Sequence, residues 1–107
     1  MFINVGFYHD GYDMLHIGEN VRIGPFLRVI TATHDIGPSH QRGLIEVVGK
    51  PVRINDGCWI GSGVTILPGV SIEKGCVIAA GSVVYETTEA DGLYAGNPAR
   101  RVRELSP

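Results

Sequence analysis

A six-residue spacing of aliphatic side chains is the strongest constraint in this sequence. Ile17, Ile23 and Val29 keep it first, and Val48, Ile54, Ile60, Ile66, Ile72, Ile78 and Val84 resume it later. A weaker apolar series stands four places after members of the first: Val21, Leu27, Cys58, Val64, Val70 and Cys76. A helix needs a period near 3.6 and a plain strand a period of 2, so neither produces this pattern. A period of six fits a short strand followed by a corner. Three such units close a triangular coil of about eighteen residues, and stacked coils form parallel sheets with strands about 4.8 Å apart. The first residue of each unit then points inward. Glycine and Asn/Asp, as in Glu19-Asn20 and Asn55-Asp56-Gly57, supply corner conformations that other residues resist.

The phase breaks between His34 and Val48. Residues 35–47 are rich in Gly, Pro, Ser, His, Gln and Arg, which predicts a loop thrown out from a corner, and loops on rigid scaffolds tend to carry function. Coils are expected over 17–34, 48–65 and 66–83, with a partial coil beyond and a less regular first coil over 1–16. Asn97-Pro98 followed by Ala99-Arg-Arg-Val-Arg-Glu-Leu105 predicts an N-cap, a first-turn proline and a short helix over about 98–105, able to cap the stack. A chain of 107 residues holds one domain, 1–107. So small a domain gains from oligomerisation.

Composition narrows the partners. With 44% hydrophobic and 19% charged residues the chain is not a disordered polymer. A net charge of −2 argues against nucleic acid or an anionic membrane, and the one basic cluster is Arg100, Arg101 and Arg103. Met1 to Gly6 has no basic start and no long apolar run, which predicts neither a signal peptide nor a membrane span and points to the cytoplasm. Cys58 and Cys76, eighteen apart, fit neither a disulfide framework nor a metal-site spacing; they should be free thiols in one slot of successive coils.

The repeat, together with "TATHDI" at Thr31–Ile36, "GCWIGSGVTILPGVSI" at Gly57–Ile72 and "AGNPARRVRE" at Ala95–Glu104, resembles the hexapeptide-repeat acetyltransferases, specifically the galactoside and maltose O-acetyltransferases. The resemblance covers nearly the whole chain. It implies an all-β, left-handed parallel β-helix, an exception to the usual right-handed crossover. It also implies a homotrimer whose sites lie between subunits, with acetyl-CoA as co-substrate, a small-molecule acceptor and no metal. Sugar-acetylating relatives usually carry an earlier helical segment and coil with an acidic acceptor-site residue; here the chain starts close to Asn4, and that residue is expected to be absent.

Acetyl transfer to a hydroxyl needs a base that takes the proton as oxygen attacks the thioester carbonyl, a task for which histidine is well suited. His34, where the repeat gives way to the loop, stands in the family's catalytic slot; the bland alternative is a polar corner residue. His9, His16 and His40 lack that context. For the acceptor, the resemblance implies Asn4, whose amide can donate and accept, with Tyr12 and Asp13 near an acceptor-binding carboxylate position. For acetyl-CoA it implies the backbone N–H of Ser62 facing the thioester oxygen, and Ala80 beside the pantetheine arm. Smallness at a corner explains both equally well. Trp59 is expected to be an interface or groove-wall aromatic.

Tyr85-Glu86 departs from the family's Thr-Lys, and a glutamate repels nucleotide phosphates. The load would shift to Arg100 and Arg103, whose guanidinium groups pair well with phosphate; otherwise they are a solvated face. Asn4 and His34 are thirty residues apart, one coil plus twelve, which places them at different corners and predicts a site completed by a neighbouring subunit. Three other readings stand beside this one. A γ-class carbonic anhydrase would hold zinc with three histidines between subunits. An acyltransferase acting on an amino sugar or antibiotic hydroxyl would have the same donor side. A degenerate β-helix scaffold would keep the fold alone.

Overall fold

The computed structural model describes the backbone of residues 2–107 and side chains from Asn4 onward. The first coil carries β1 (Phe2–Ile3), β2 (Tyr8–His9) and β3 (Leu15–Ile17). After β4 (Arg22–Ile23) and β5 (Arg28–Val29) the chain leaves the stack through β6 (Ala32–Thr33) and returns through β7 (Val48–Gly49). The stack resumes with β8 (Val52–Ile54), β9 (Trp59–Ile60), β10 (Thr65–Ile66), β11 (Ser71–Ile72), β12 (Val77–Ile78) and β13 (Val83–Val84). It closes with β14 (Gly92–Gly96) and β15 (Ala99–Glu104).

These strands form the three faces of a left-handed parallel β-helix. One face runs β1-β4-β9-β12-β14-β15, the second β2-β5-β10-β13 and the third β3-β8-β11. Register places Ile23, Ile60 and Ile78 in one inward column, Val29, Ile66 and Val84 in another, and Ile17, Ile54 and Ile72 in the last. All but the partly buried Ile17 are buried, as are Val21, Leu27, Cys58, Val64, Val70 and Cys76 from the weaker series. Two apolar positions per six residues, both inward, are therefore what fills the prism. Glycine at the corners lets coils nest: a Cβ on Gly61 would lie 2.7 Å from the Ala80 nitrogen.

The first coil is two residues longer than the regular eighteen-residue repeat. Phe2 pairs with Arg22 and Tyr8 with Arg28, an offset of twenty, whereas Ser71 pairs with Arg53 at eighteen. The two extra residues fall between β2 and β3, at the corner Asp10–Asp13.

Two sequence expectations are corrected. Val48, placed in the inward series, is exposed and belongs to β7, which pairs antiparallel with β6. Its six-residue spacing from Ile54 is a coincidence of loop length, and the excursion is an antiparallel ribbon with a wider base than 35–47. No helix forms over 98–105. Gly96, at φ 104°, and the cis Asn97-Pro98 bond lie in a tight turn, and β15 runs back antiparallel along β14. A helix that short is marginal in water, whereas the edge of β14 offers a row of unpaired backbone groups.

Candidate functional site

His34 follows β6 directly and is exposed. Its Nδ1 lies 2.7 Å from the Asp35 carbonyl oxygen. A carbonyl only accepts, so this contact puts the ring proton on Nδ1 and leaves the Nε2 lone pair to take a proton.

The ribbon that carries His34 is clamped at its base. Asp10 accepts hydrogen bonds from the Thr31 N–H at 2.9 Å, the Ala32 N–H at 3.0 Å and the Tyr12 N–H at 3.4 Å, and from the Thr31 hydroxyl. The buried Thr31 oxygen also accepts from the Asp13 N–H at 2.9 Å. Burial pushes the Asp10 carboxyl up, but the hydrogen bonds from the Thr31 hydroxyl and from the Ala32, Thr31 and Tyr12 N–H groups outweigh it, and the net direction is down. The Lys50 N–H closes the ribbon onto the Thr31 carbonyl at 2.8 Å. A Cβ on Gly49 would meet the Tyr12 carbonyl oxygen at 2.5 Å, so only glycine lets the ribbon lie this close. Tyr12 and Asp13 thus stand at the base of the ribbon that carries His34. Tyr12 is exposed, Asp13 half-buried, and the Asp13 carbonyl lies 2.8 Å from His9 Nε2.

Asn4, Ser62 and Ala80 belong to another corner. The register of Ile3 with Ile23, Ile60 and Ile78 stacks Asn4 under Gly24, Gly61 and Ala79. Ser62 and Ala80 follow one step on, both exposed, and the Ser62 carbonyl accepts from the Gly81 N–H at 2.8 Å. Within one chain the structure does not bring these residues to His34. Phe26 stands at the same corner and went unnoticed in the sequence. It occupies the slot that Gly63 and Gly81 fill, keeps their positive φ (63°), and is 58% exposed with its ring over Gly6. A bulky side chain there is a backbone outlier. A phenylalanine in a glycine slot was the signal to find it.

At the far end Tyr85, Glu86, Pro98, Ala99 and Arg100 line a cleft of about 370 Å³. The β14–β15 register shifts by one residue between Leu93 and Tyr94, pairing Ala95 with Arg100 and Leu93 with Arg103. Residues opposite one another in antiparallel strands share a face, and Leu93 and Ala95 share theirs. The bulge therefore turns Arg100 and Arg103 to the same side, and among the described residues neither makes an ion pair. Arg101 faces the other way, 5.7 Å over the Tyr94 ring and bonded to the Glu89, Ala90 and Asp91 carbonyls. The fork of two unpaired guanidinium groups suits a phosphate-bearing ligand; Glu86 beside Arg100 opposes one.

Residues 51–86 match the family described as bacterial transferase hexapeptide (six repeats). A provisionally named acetyltransferase of Schizosaccharomyces pombe is 41% identical over 92 residues, 86% of this chain and 44% of that protein. The galactoside O-acetyltransferase of Lactococcus lactis is 36% identical over 93 residues, 86% of this chain and 44% of its own length. Among solved structures, a hexapeptide-repeat acetyltransferase of Vibrio cholerae in complex with acetyl-CoA superposes with TM-score 0.80 at 28% identity, covering 100% of this chain and 71% of that one. The chain belongs to the hexapeptide-repeat acetyltransferases. It spans less than half the length of these curated relatives.

Against that family frame, the cysteines are part of the stack. Cys58 and Cys76 are free and buried, each thiol 3.1 Å from a corner carbonyl, Glu73 and Glu89 respectively. Burial pushes the Cys58 thiol up to about 11, which keeps it a protonated donor. Among the described residues no three His, Cys, Asp or Glu side chains converge as metal ligands, and no helix is long and apolar enough to cross a membrane.

Proposed function

We propose that this chain is the β-helix of a cytoplasmic O-acetyltransferase that moves an acetyl group from acetyl-CoA to a hydroxyl of a sugar or similar acceptor. The observation that carries this reading is the exposed His34 imidazole, with Nδ1 tied to the Asp35 carbonyl and Nε2 left to act as base. In this reading His34 accepts the hydroxyl proton as the oxygen attacks the thioester carbonyl, and the Ser62 N–H stabilises the carbonyl oxygen as it gains charge. Asn4, Tyr12 and Asp13 hold the acceptor, Ala80 leaves room for the pantetheine arm, and Arg100 with Arg103 holds the phosphates. The donor end is supported by the paired orientation of those two arginines. The O-linked acceptor is supported by the kinship with the Lactococcus lactis enzyme.

The same geometry supports the homotrimer that the family resemblance implies. His34 and Ser62 stand at different corners of one prism, so a complete site needs a neighbour's corner. Release of CoA thiol against a panel of sugars and hydroxylated compounds tests the activity, and His34→Ala should lower it about 10²–10⁴-fold while leaving assembly intact. Full activity in that variant would move the chemistry elsewhere. Activity that instead depends on zinc in a metal analysis would favour the carbonic-anhydrase-like reading.

A further inference from the structure

We propose that Asp10 is a positioning residue for His34, clamping the base of the ribbon through Thr31 and Ala32 so that the imidazole is held in one place. The inference rests on His34 being the base, and it adds a residue that neither repeat nor motif singles out. Its ground is the way the ribbon is attached. The stack ends its regular register at Val29, and only two residues separate Thr31 from His34. Across that short stretch the first strand of the ribbon pairs only with its own return strand, β7. The fixed point beneath it is the Asp10 carboxylate, in the coil below.

Asp10 takes four hydrogen bonds there, two from consecutive backbone N–H groups of the ribbon base, one from the Thr31 hydroxyl and one from its own corner at Tyr12. Two acceptor oxygens are required. Oδ2 receives Thr31 and Ala32, while Oδ1 receives the Thr31 hydroxyl and Tyr12. An asparagine keeps one oxygen, and its amide group would point N–H at the Tyr12 N–H or at a threonine oxygen already accepting from Asp13. The two extra residues of the first coil lie in this same corner, bringing Asp10 and Asp13 to the threonine from below. Misplacing a base by about 1 Å costs up to about 10² in rate.

The test compares Asp10→Asn, Thr31→Val and Thr31→Ser with the native chain, using acetyl-transfer kinetics and nitrogen NMR of the His34 ring. The native ring should give the signature of a proton on Nδ1. Asp10→Asn and Thr31→Val should each lower kcat about 10–100-fold, leave KM for acetyl-CoA within about twofold, and blur the ring signature toward mixed tautomers. Their effects should not add in the double variant, because both break one unit. Thr31→Ser, which keeps the hydroxyl, should restore rate and ring toward native. Native kcat and a native ring in both Asp10→Asn and Thr31→Val overturn the proposal, as does a kcat loss with an unchanged ring. If the native chain transfers no acetyl group, the functional reading fails, and the ring signature alone still decides whether Asp10 fixes His34.

Discussion

Asp10 ties acid stability to the ribbon. Its carboxyl is held below its ordinary value of 3.8 in the folded chain, so the unfolded chain binds the proton more readily. The resulting stabilisation is fully present above pH 3.8 and is lost as pH falls through the lower folded value. Asp10→Asn should therefore lose stability near neutrality and show a shallower decline below about pH 4, read by urea unfolding across pH. At the other end of the molecule, Glu86 shares a cleft with Arg100. Glu86→Lys should lower KM for acetyl-CoA several-fold with little change in kcat, and the gain should shrink with added salt. An unchanged KM would place the phosphates elsewhere. Neither effect can be read from spacing. Aliphatic residues announce themselves by period because the prism has two inward slots per unit, whereas Asp10 and Phe26 matter through contacts with the adjacent coil, Thr31 and Ala32 for the first and Gly6 for the second.

For the elements, phase was a good guide to where the stack runs and a poor one to how it is interrupted. Loss of the six-residue spacing located the excursion, yet β6 and β7 obey the alternation of a hairpin, and two residues each are too few to show it. Gly49 carries the contact that seats this ribbon against Tyr12 and Asp13. Gly49→Ala should push β7 off the corner and destabilise the chain by about 1–3 kcal/mol, with activity falling further than stability. Thermal unfolding and thiol release, measured on the same preparation, check both halves. The C-terminal segment misled for a different reason. Asn-Pro followed by Ala, Arg and Glu carries genuine helix-start chemistry, but local propensity lost to an available sheet edge, which no window of seven residues reveals.

Taken whole, the molecule is a prism of about 48 × 25 × 19 Å whose core is a set of aliphatic columns. Ile60 is packed between Ile23 in the coil below and Ile78 in the coil above, so its truncation cannot be absorbed by one neighbour shifting. Ile60→Ala should cost about 2–5 kcal/mol, a large share of the about 5–15 kcal/mol available to a domain this size. Urea unfolding measures it. Assembly is judged at the same scale. Light scattering should give three copies per particle, and co-refolded Asn4→Ala and His34→Ala chains, each inactive alone, should recover part of the activity. No recovery despite proven mixing would place both residues in a site built by one chain. That Asn4 and His34 stand at different corners was legible in the spacing, but the offset of one coil plus twelve was not kept: the first coil runs twenty residues, which leaves Asn4 level with Gly24, ten residues before His34.

A stack of equivalent coils has no natural length, since its last rung exposes the same template as every rung before it. At this edge the antiparallel pair β14–β15 opposes addition of a further coil. β15 meets an incoming coil with a strand of the wrong polarity, a bulge and three arginines at the outermost position of one face. Because all three strands of a coil come from one continuous segment, blocking a single face stops further addition. A variant lacking β15 should accordingly self-associate end to end: its sedimentation coefficient should climb with concentration, while that of the native chain stays constant.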